Sequence, residues 1–227
     1  MRRAFRTMVQ KSNNGSGGGD DRVRRRSEQR RHAILRAAAR TFRTRGFEAS
    51  GMREIADEAD LSPGNLYHYF QGKHEILFFC QDRALDAMLD ALEAARLSGD
   101  AVDERLRVVL ETHVRIILDD FEGATAHLEI GALPDDLRGR IVRKRDRYER
   151  GIRRLVRAGM KEGVFGRRDP ALVVRAMLGA VNWPAQWFRP GGSRSATAVA
   201  EAIAEYLVSG LKQANDGVAR GGRAATR

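Results

Sequence analysis

At 227 residues, 42% of them hydrophobic, the chain can bury a real core as one large or two modest domains. Its net charge of +11 sits at the ends, because residues 1–26 hold eight basic and two acidic side chains and residues 212–227 four and one. A single cysteine, Cys80, excludes an internal disulfide framework and a metal-ligand spacing. This fits a reducing cytoplasm.

No apolar run reaches the roughly 18 residues that a membrane span needs. The arginine-rich start lacks the apolar stretch of a secretion signal. Five prolines and few β-branched runs point to an all-α chain.

Residues 1–20 end in SNNGSGGGD, a low-complexity stretch that reads as a disordered linker. Arg22, Arg24, Arg25 and Arg26 follow, a basic approach suited to phosphate contact, whereas the far N-terminus suits either that or solubility. The apolar spacing of Ile34, Ala37, Ala38, Thr41 and Phe42 predicts a first helix from about Ser27 to Arg45. Gly46 would end it in a left-handed conformation.

Met52, Ile55, Ala56 and Ala59 lie on one face of a second helix. Asp60, Leu61 and Ser62 make a tight turn. Ser62 can cap a third helix, about 63–69, whose first position Pro63 suits because no N–H is needed there. Ala56 is small enough for two helices to cross closely, and Ile55, Leu61 and Leu66 clasp them. This is a helix-turn-helix whose second helix can lie in a major groove.

Residues 34–77 resemble the DNA-binding domain of the TetR family of bacterial regulators. The resemblance rests on Ala37-Ala38, Phe42, Gly46-Phe47, Ser50, Ile55-Ala56, Ala59, Leu61-Ser62, Gly64, Leu66-Tyr67, Tyr69-Phe70, Lys73 and Leu77. Asp60 replaces the family's usual Gly, and Asp tolerates a left-handed turn. Ser50 replaces the commoner Thr and keeps its hydroxyl.

The resemblance implies three helices for DNA and further helices for effector binding and dimerisation. The domains would be a disordered basic arm (1–26), a DNA-binding domain (27–72), a ligand-binding and dimerisation domain (73–215) and a disordered tail (216–227). DNA would be met by Arg24, Arg25 and Arg26 of the arm. On the reading helix it would meet Ser62, Gly64, Asn65, Tyr67 and His68. Ser50, Arg53, Tyr69 and Lys73 would be positioning contacts. Phe70 reads as core. A homodimer would bind two half-sites of a palindromic, double-stranded operator.

Further along, the apolar pattern predicts a fourth helix from Lys73 to about Leu97 and a fifth from Ala101 to Asp120. A short helix over 124–131 and a long one from Pro134 to Lys161 follow. The last two run over 170–188, with Pro184 as a kink, and over 193–215. Small and apolar residues of these two, Gly179, Ala202, Ile203 and Tyr206 among them, suit either a dimer surface or the monomer's own core.

The effector site is sought among odd residues on apolar faces. His113 sits on the apolar side of the fifth helix with Ile117 and Phe121, as a core histidine or a ligand contact. Lys144 lies about 20° from the apolar line through Leu137, at about 100° per residue, near Tyr148. It could hold an anionic effector, pair internally (with Glu129, for example) or snorkel to solvent. Arg143, Arg147, Arg150 and Arg154 form a basic row that reads as a solvated face. Trp183 and Trp187 lie one turn apart, suited to an effector or to packing.

The stretch 133–192 resembles the TetR subgroup that controls fatty-acid or sterol catabolism, which implies an acyl-CoA effector. The whole reads as a ligand-released repressor. An activator of the same architecture and a helix-turn-helix adaptor without DNA binding are the alternatives. There is no nucleotide-binding Gly loop and no sequence-adjacent Ser/His/Asp set, so neither an enzyme nor a cofactor is expected.

Overall fold

A computed structural model describes residues 17–118 and 130–212. Its helices are α1 (Gly17–Arg45), α2 (Met52–Glu58), α3 (Pro63–Tyr67), α4 (Lys73–Leu97), α5 (Val102–Leu118), α6 (Asp135–Lys161), α7 (Pro170–Asn182), α8 (Pro184–Trp187) and α9 (Ala196–Ser209). A 3-10 turn, Ile130–Ala132, precedes α6. The all-α expectation holds among the described residues. Phe121, Glu129, most of the short helix expected over 124–131, residues 1–16 and the tail lie outside them.

The local signals act as the sequence suggests. Gly46 ends α1 at φ 78°, and Asp60 takes the left-handed turn at φ 53°. The Asn65 backbone N–H donates to the Ser62 hydroxyl at 3.2 Å, with Pro63 at the first helical position. Ile55, Ala56 and Leu66 are fully buried where α2 meets α3.

Two boundaries differ from expectation. α1 begins at Gly17, ten residues before Ser27, so Arg22–Arg26 belong to a helix and not to a disordered arm. The arginines have helix-compatible straight side chains, and the backbone bonds of the following turns propagate back through them. At Pro184 the expected kink divides the 170–188 helix in two, with Trp183 between the two parts still helical. The proline lacks an N–H, so α7 stops at Asn182 and the short α8 starts at Pro184.

α4 joins the two parts. Its Ile76, Leu77, Phe78 and Cys80 pack in one continuous core with α1 and α3, and Leu85, Met88 and Leu89 extend that core into the second domain. Arg31 of α1 lies over both Phe70 (5.1 Å) and Phe79 (4.9 Å), fastening the first helix to the start of α4.

In the second domain α5 packs on α9, and α6 packs on α4 and α7. Two glycines permit close approach. A Cβ on Gly151 would lie 2.0 Å from the Leu92 side chain, and one on Gly159 2.2 Å from the Phe165 ring. Gly159→Ala is expected to cost about 1–3 kcal/mol by overpacking, read as a lowered denaturation midpoint. An unchanged midpoint would mean that Phe165 can move aside.

The segment after α9 returns to this corner. The Gly166 N–H donates to the Leu211 carbonyl at 2.8 Å, and Lys212 pairs with Asp103 at 2.9 Å.

Candidate functional site

The outer side of α3 is a polar, open surface. Asn65 and His68 are exposed, and Tyr67 is 55% exposed although Leu66 between them is fully buried. A Cβ on Gly64 would meet nothing within 4 Å, so a flat partner can approach the backbone there. Arg53 on α2 is exposed, as are Arg24, Arg25 and Arg26 on α1. Arg40 and Glu58, 2.6 Å apart, tie α1 to α2.

Other residues expected at DNA also have partners or packing within the fold. Ser50 is 2% exposed, and its hydroxyl donates to the Gly46 carbonyl at 2.6 Å, closing the turn after α1. The Ser62 oxygen serves as the α3 cap. Tyr69 is half-buried against the core. The Lys73 ammonium donates to the Phe47 and Glu48 carbonyls at 3.1 and 3.2 Å and stacks 4.5 Å over the Phe47 ring. Two carbonyls and a ring satisfy that cation, so it braces the α1–α2 loop against α4.

Lys73→Ala is therefore expected to lower stability by about 1–3 kcal/mol while leaving the salt dependence of DNA binding unchanged. A salt slope reduced by about one unit would instead make Lys73 a phosphate contact.

Inside the second domain a cavity of about 330 Å³ lies between α4, α5, α6 and α7. Leu85, Met88, Ile117, Leu178 and Ala185 make it apolar, and His113, Tyr148 and Asn182 form a polar seam in its wall. The His113 Nδ1 is 3.2 Å from the Tyr148 hydroxyl and its Nε2 is 3.1 Å from the Asn182 amide oxygen. Arg145, Asp146 and Glu149 line the cavity from α6, Glu149 bonded also to Arg153. Burial pushes the Arg145 pKa down and the Tyr148 pKa up.

Burial also pushes His113 down to about 4, against the opposing pull of its bond to Asn182. In the folded protein the imidazole is neutral above that pH, whereas the unfolded chain protonates near 6.5. The unfolded state thus binds the extra proton in between. The associated stability is complete above pH 6.5 and is lost towards pH 4, on the order of 3 kcal/mol. Melting temperatures across this window should fall more steeply for the native protein than for His113→Gln. Equal slopes would show that His113 does not titrate on unfolding.

His113, Ile117 and Tyr148 thus meet at one cavity, as the sequence suggests. Lys144 does not join them. Its ammonium pairs with Asp82 at 2.6 Å and Asp86 at 2.7 Å. Desolvation opposes the charge there, but the bonds to Asp82 and then Asp86 outweigh it and raise the pKa. Lys144 therefore brackets α6 to α4, by the internal-pair alternative but with other partners than Glu129.

Trp183 and Trp187 also lie off the cavity wall. They are 64% and 46% exposed, and with Gly179, Ile203, Leu207 and the 80% exposed Tyr206 they form an apolar face along α7, α8 and α9. Of the basic row, Arg147 and Arg154 border a groove of about 270 Å³ with Arg96 and Arg105, while Arg143 and Arg150 point to solvent.

Sequence reasoning passed over Asn182 and Arg145. Asn182 stands directly before Trp183, and its polar side chain within the apolar run of α7 was the available signal. Among the described residues no group of side chains has metal-binding geometry, and no helix is long and apolar enough to cross a membrane.

The comparisons agree with this architecture. Residues 34–78 match the family model for bacterial regulatory proteins of the tetR family, and residues 99–211 match that for the tetracyclin repressor-like C-terminal domain. The HTH-type transcriptional repressor KstR2 of Rhodococcus jostii is 27% identical over 190 residues, 78% of this chain and 89% of that protein. A crystal structure of the TetR-family regulator PfmR from Thermus thermophilus is 35% identical with a TM-score of 0.71, covering 79% of this chain and 99% of that one. The structure of AibR in complex with isovaleryl coenzyme A and operator DNA is 26% identical with a TM-score of 0.65, covering 81% and 98%. With an open polar face on α3, a connecting helix α4 and a partly open cavity behind it, the chain belongs to the TetR family of bacterial transcriptional regulators.

Proposed function

We propose that the protein is a homodimeric repressor that leaves a palindromic operator when a coenzyme A thioester occupies its cavity. The observation that carries this reading is the position of α4. Leu85 and Met88 of that helix line the cavity, and its first turns pack on α1 and share one core with Leu66 of α3. A ligand that favours a shifted α4 thereby favours a shifted reading helix, and it acts only through its different affinity for the two states.

The exposed apolar face of α7, α8 and α9 supports the dimer, because monomers rarely leave two tryptophans and a tyrosine together in water. Two reading helices then meet two half-sites, with Asn65, Tyr67 and His68 at the bases or phosphates, Arg53 beside them, and Arg24, Arg25 and Arg26 on flanking phosphates. The thioester is supported by AibR, seen with isovaleryl coenzyme A. A cavity of about 330 Å³ takes the acyl group and leaves the far larger coenzyme outside.

The test is fluorescence anisotropy on DNA upstream of the protein's own gene, at fixed salt, titrated with a panel of CoA thioesters. Tight binding reversed by a thioester is the expected result. Tight binding that no thioester disturbs would discard the effector class, and thioester-enhanced binding would make the protein a ligand-dependent binder instead.

A further inference from the structure

We infer that the acyl group of the effector carries a hydroxyl or keto oxygen, which docks on Tyr148 and Asn182 in the cavity. This rests on the thioester reading above and narrows it.

The seam Tyr148–His113–Asn182 is a directed chain of hydrogen bonds with two open ends. With the Asn182 oxygen facing His113, Nε2–H donates to it and Nδ1 accepts from the Tyr148 hydroxyl. The Tyr148 oxygen then retains a lone pair, and the Asn182 amide nitrogen retains its donors. Turning the amide over and exchanging the imidazole tautomer reverses every bond, leaving a donor at Tyr148 and an acceptor at Asn182. In both arrangements one donor and one acceptor remain at the cavity wall. A hydroxyl can satisfy both, and a carbonyl oxygen can take the donor.

The surroundings make that pair selective. His113 and Tyr148 are nearly fully buried, on α5 and α6, and Asn182 reaches them from α7. The rest of the wall is apolar at Leu85, Met88, Ile117, Leu178 and Ala185, with Arg145, Asp146 and Glu149 along its α6 side. A plain alkyl chain would strip water from the seam's open ends and return nothing, whereas an oxygenated chain replaces that water. If the seam served packing alone, apolar side chains would do as well, because replacing both partners of a buried bond costs little. A neutral imidazole suits the relay, since a charged one would donate at both nitrogens and break the direction of the chain.

The experiment compares octanoyl-CoA with the positional isomers of hydroxy- and oxo-octanoyl-CoA as agents that release operator DNA, for the native protein and for Asn182→Leu and Tyr148→Phe. At least one oxygenated isomer should act at a concentration about ten-fold or more below that of octanoyl-CoA. Asn182→Leu should bring that ratio close to one by weakening only the oxygenated ligand, and Tyr148→Phe should reduce it. Operator binding by each variant without ligand shows that it is folded. Release by octanoyl-CoA as readily as by every isomer would overturn the oxygen and leave the thioester standing, as would a ratio untouched in both variants. Release by none of these thioesters would remove the thioester reading, and this inference with it.

Discussion

Tyr206→Asp is expected to turn the proposed dimer into a monomer and to weaken operator binding about 100-fold or more. Tyr206 is 80% exposed on α9 and contributes nothing to the monomer's core, so the variant should fold. In a dimer built on this face, the new carboxylate would be buried among Trp183, Trp187, Ile203 and Leu207 with no cation to meet it. Losing the partner means losing the second half-site, and with it the avidity of two linked contacts, typically 10²–10⁴. Light scattering and anisotropy on the same preparation read both effects. A dimeric Tyr206→Asp with normal DNA affinity would move the interface elsewhere.

Asn65→Ala combined with Tyr67→Ala should lower operator affinity roughly 100-fold, at about 1–3 kcal/mol for each lost contact. Both side chains project from α3 on either side of buried Leu66, so their removal spares the core. Thermal stability should change by no more than about 0.5 kcal/mol. Separating the two contributions is informative. Loss of a base contact relaxes the preference for one operator position, whereas loss of a phosphate contact weakens all sequences alike and flattens the salt dependence. Unchanged affinity in the double variant would remove α3 from the DNA interface.

The two kinds of residue differ in how readable they were. The turn of the helix-turn-helix depends on neighbours within four positions. Asp60 at positive φ, Ser62 as a cap and Pro63 at the first helical position could therefore be taken from the chain itself. The exposed row Asn65, Tyr67 and His68 follows from helical phase around Leu66. Ser50 and Lys73 carry the same chemistry as DNA contacts, yet the carbonyls that engage them belong to the end of α1 and the loop after it. Nothing in the local spacing at Lys73 announces a partner 26 positions away.

Effector residues show the same division. Periodicity put His113, Ile117 and Tyr148 on inward faces, and they meet at the cavity. It also put Lys144 near the apolar stripe of α6, where Asp82 and Asp86 of α4 hold it. The tryptophans follow helical phase, since Trp183 between α7 and α8 keeps a helical backbone at φ −59° and ψ −34°. That phase sets Trp183 and Trp187 towards α9 and solvent, while Asn182, one residue earlier, turns inward to His113.

By itself the sequence determined most of the helices, their caps, the exposed polar face of α3 and the family, because these depend on local propensity and on the phase of apolar residues. Only the tertiary structure decided which polar groups are free to meet a ligand and which are spent on the fold. A hydrogen bond or ion pair is settled by what a distant helix brings within about 3 Å, and helical phase carries no information about that.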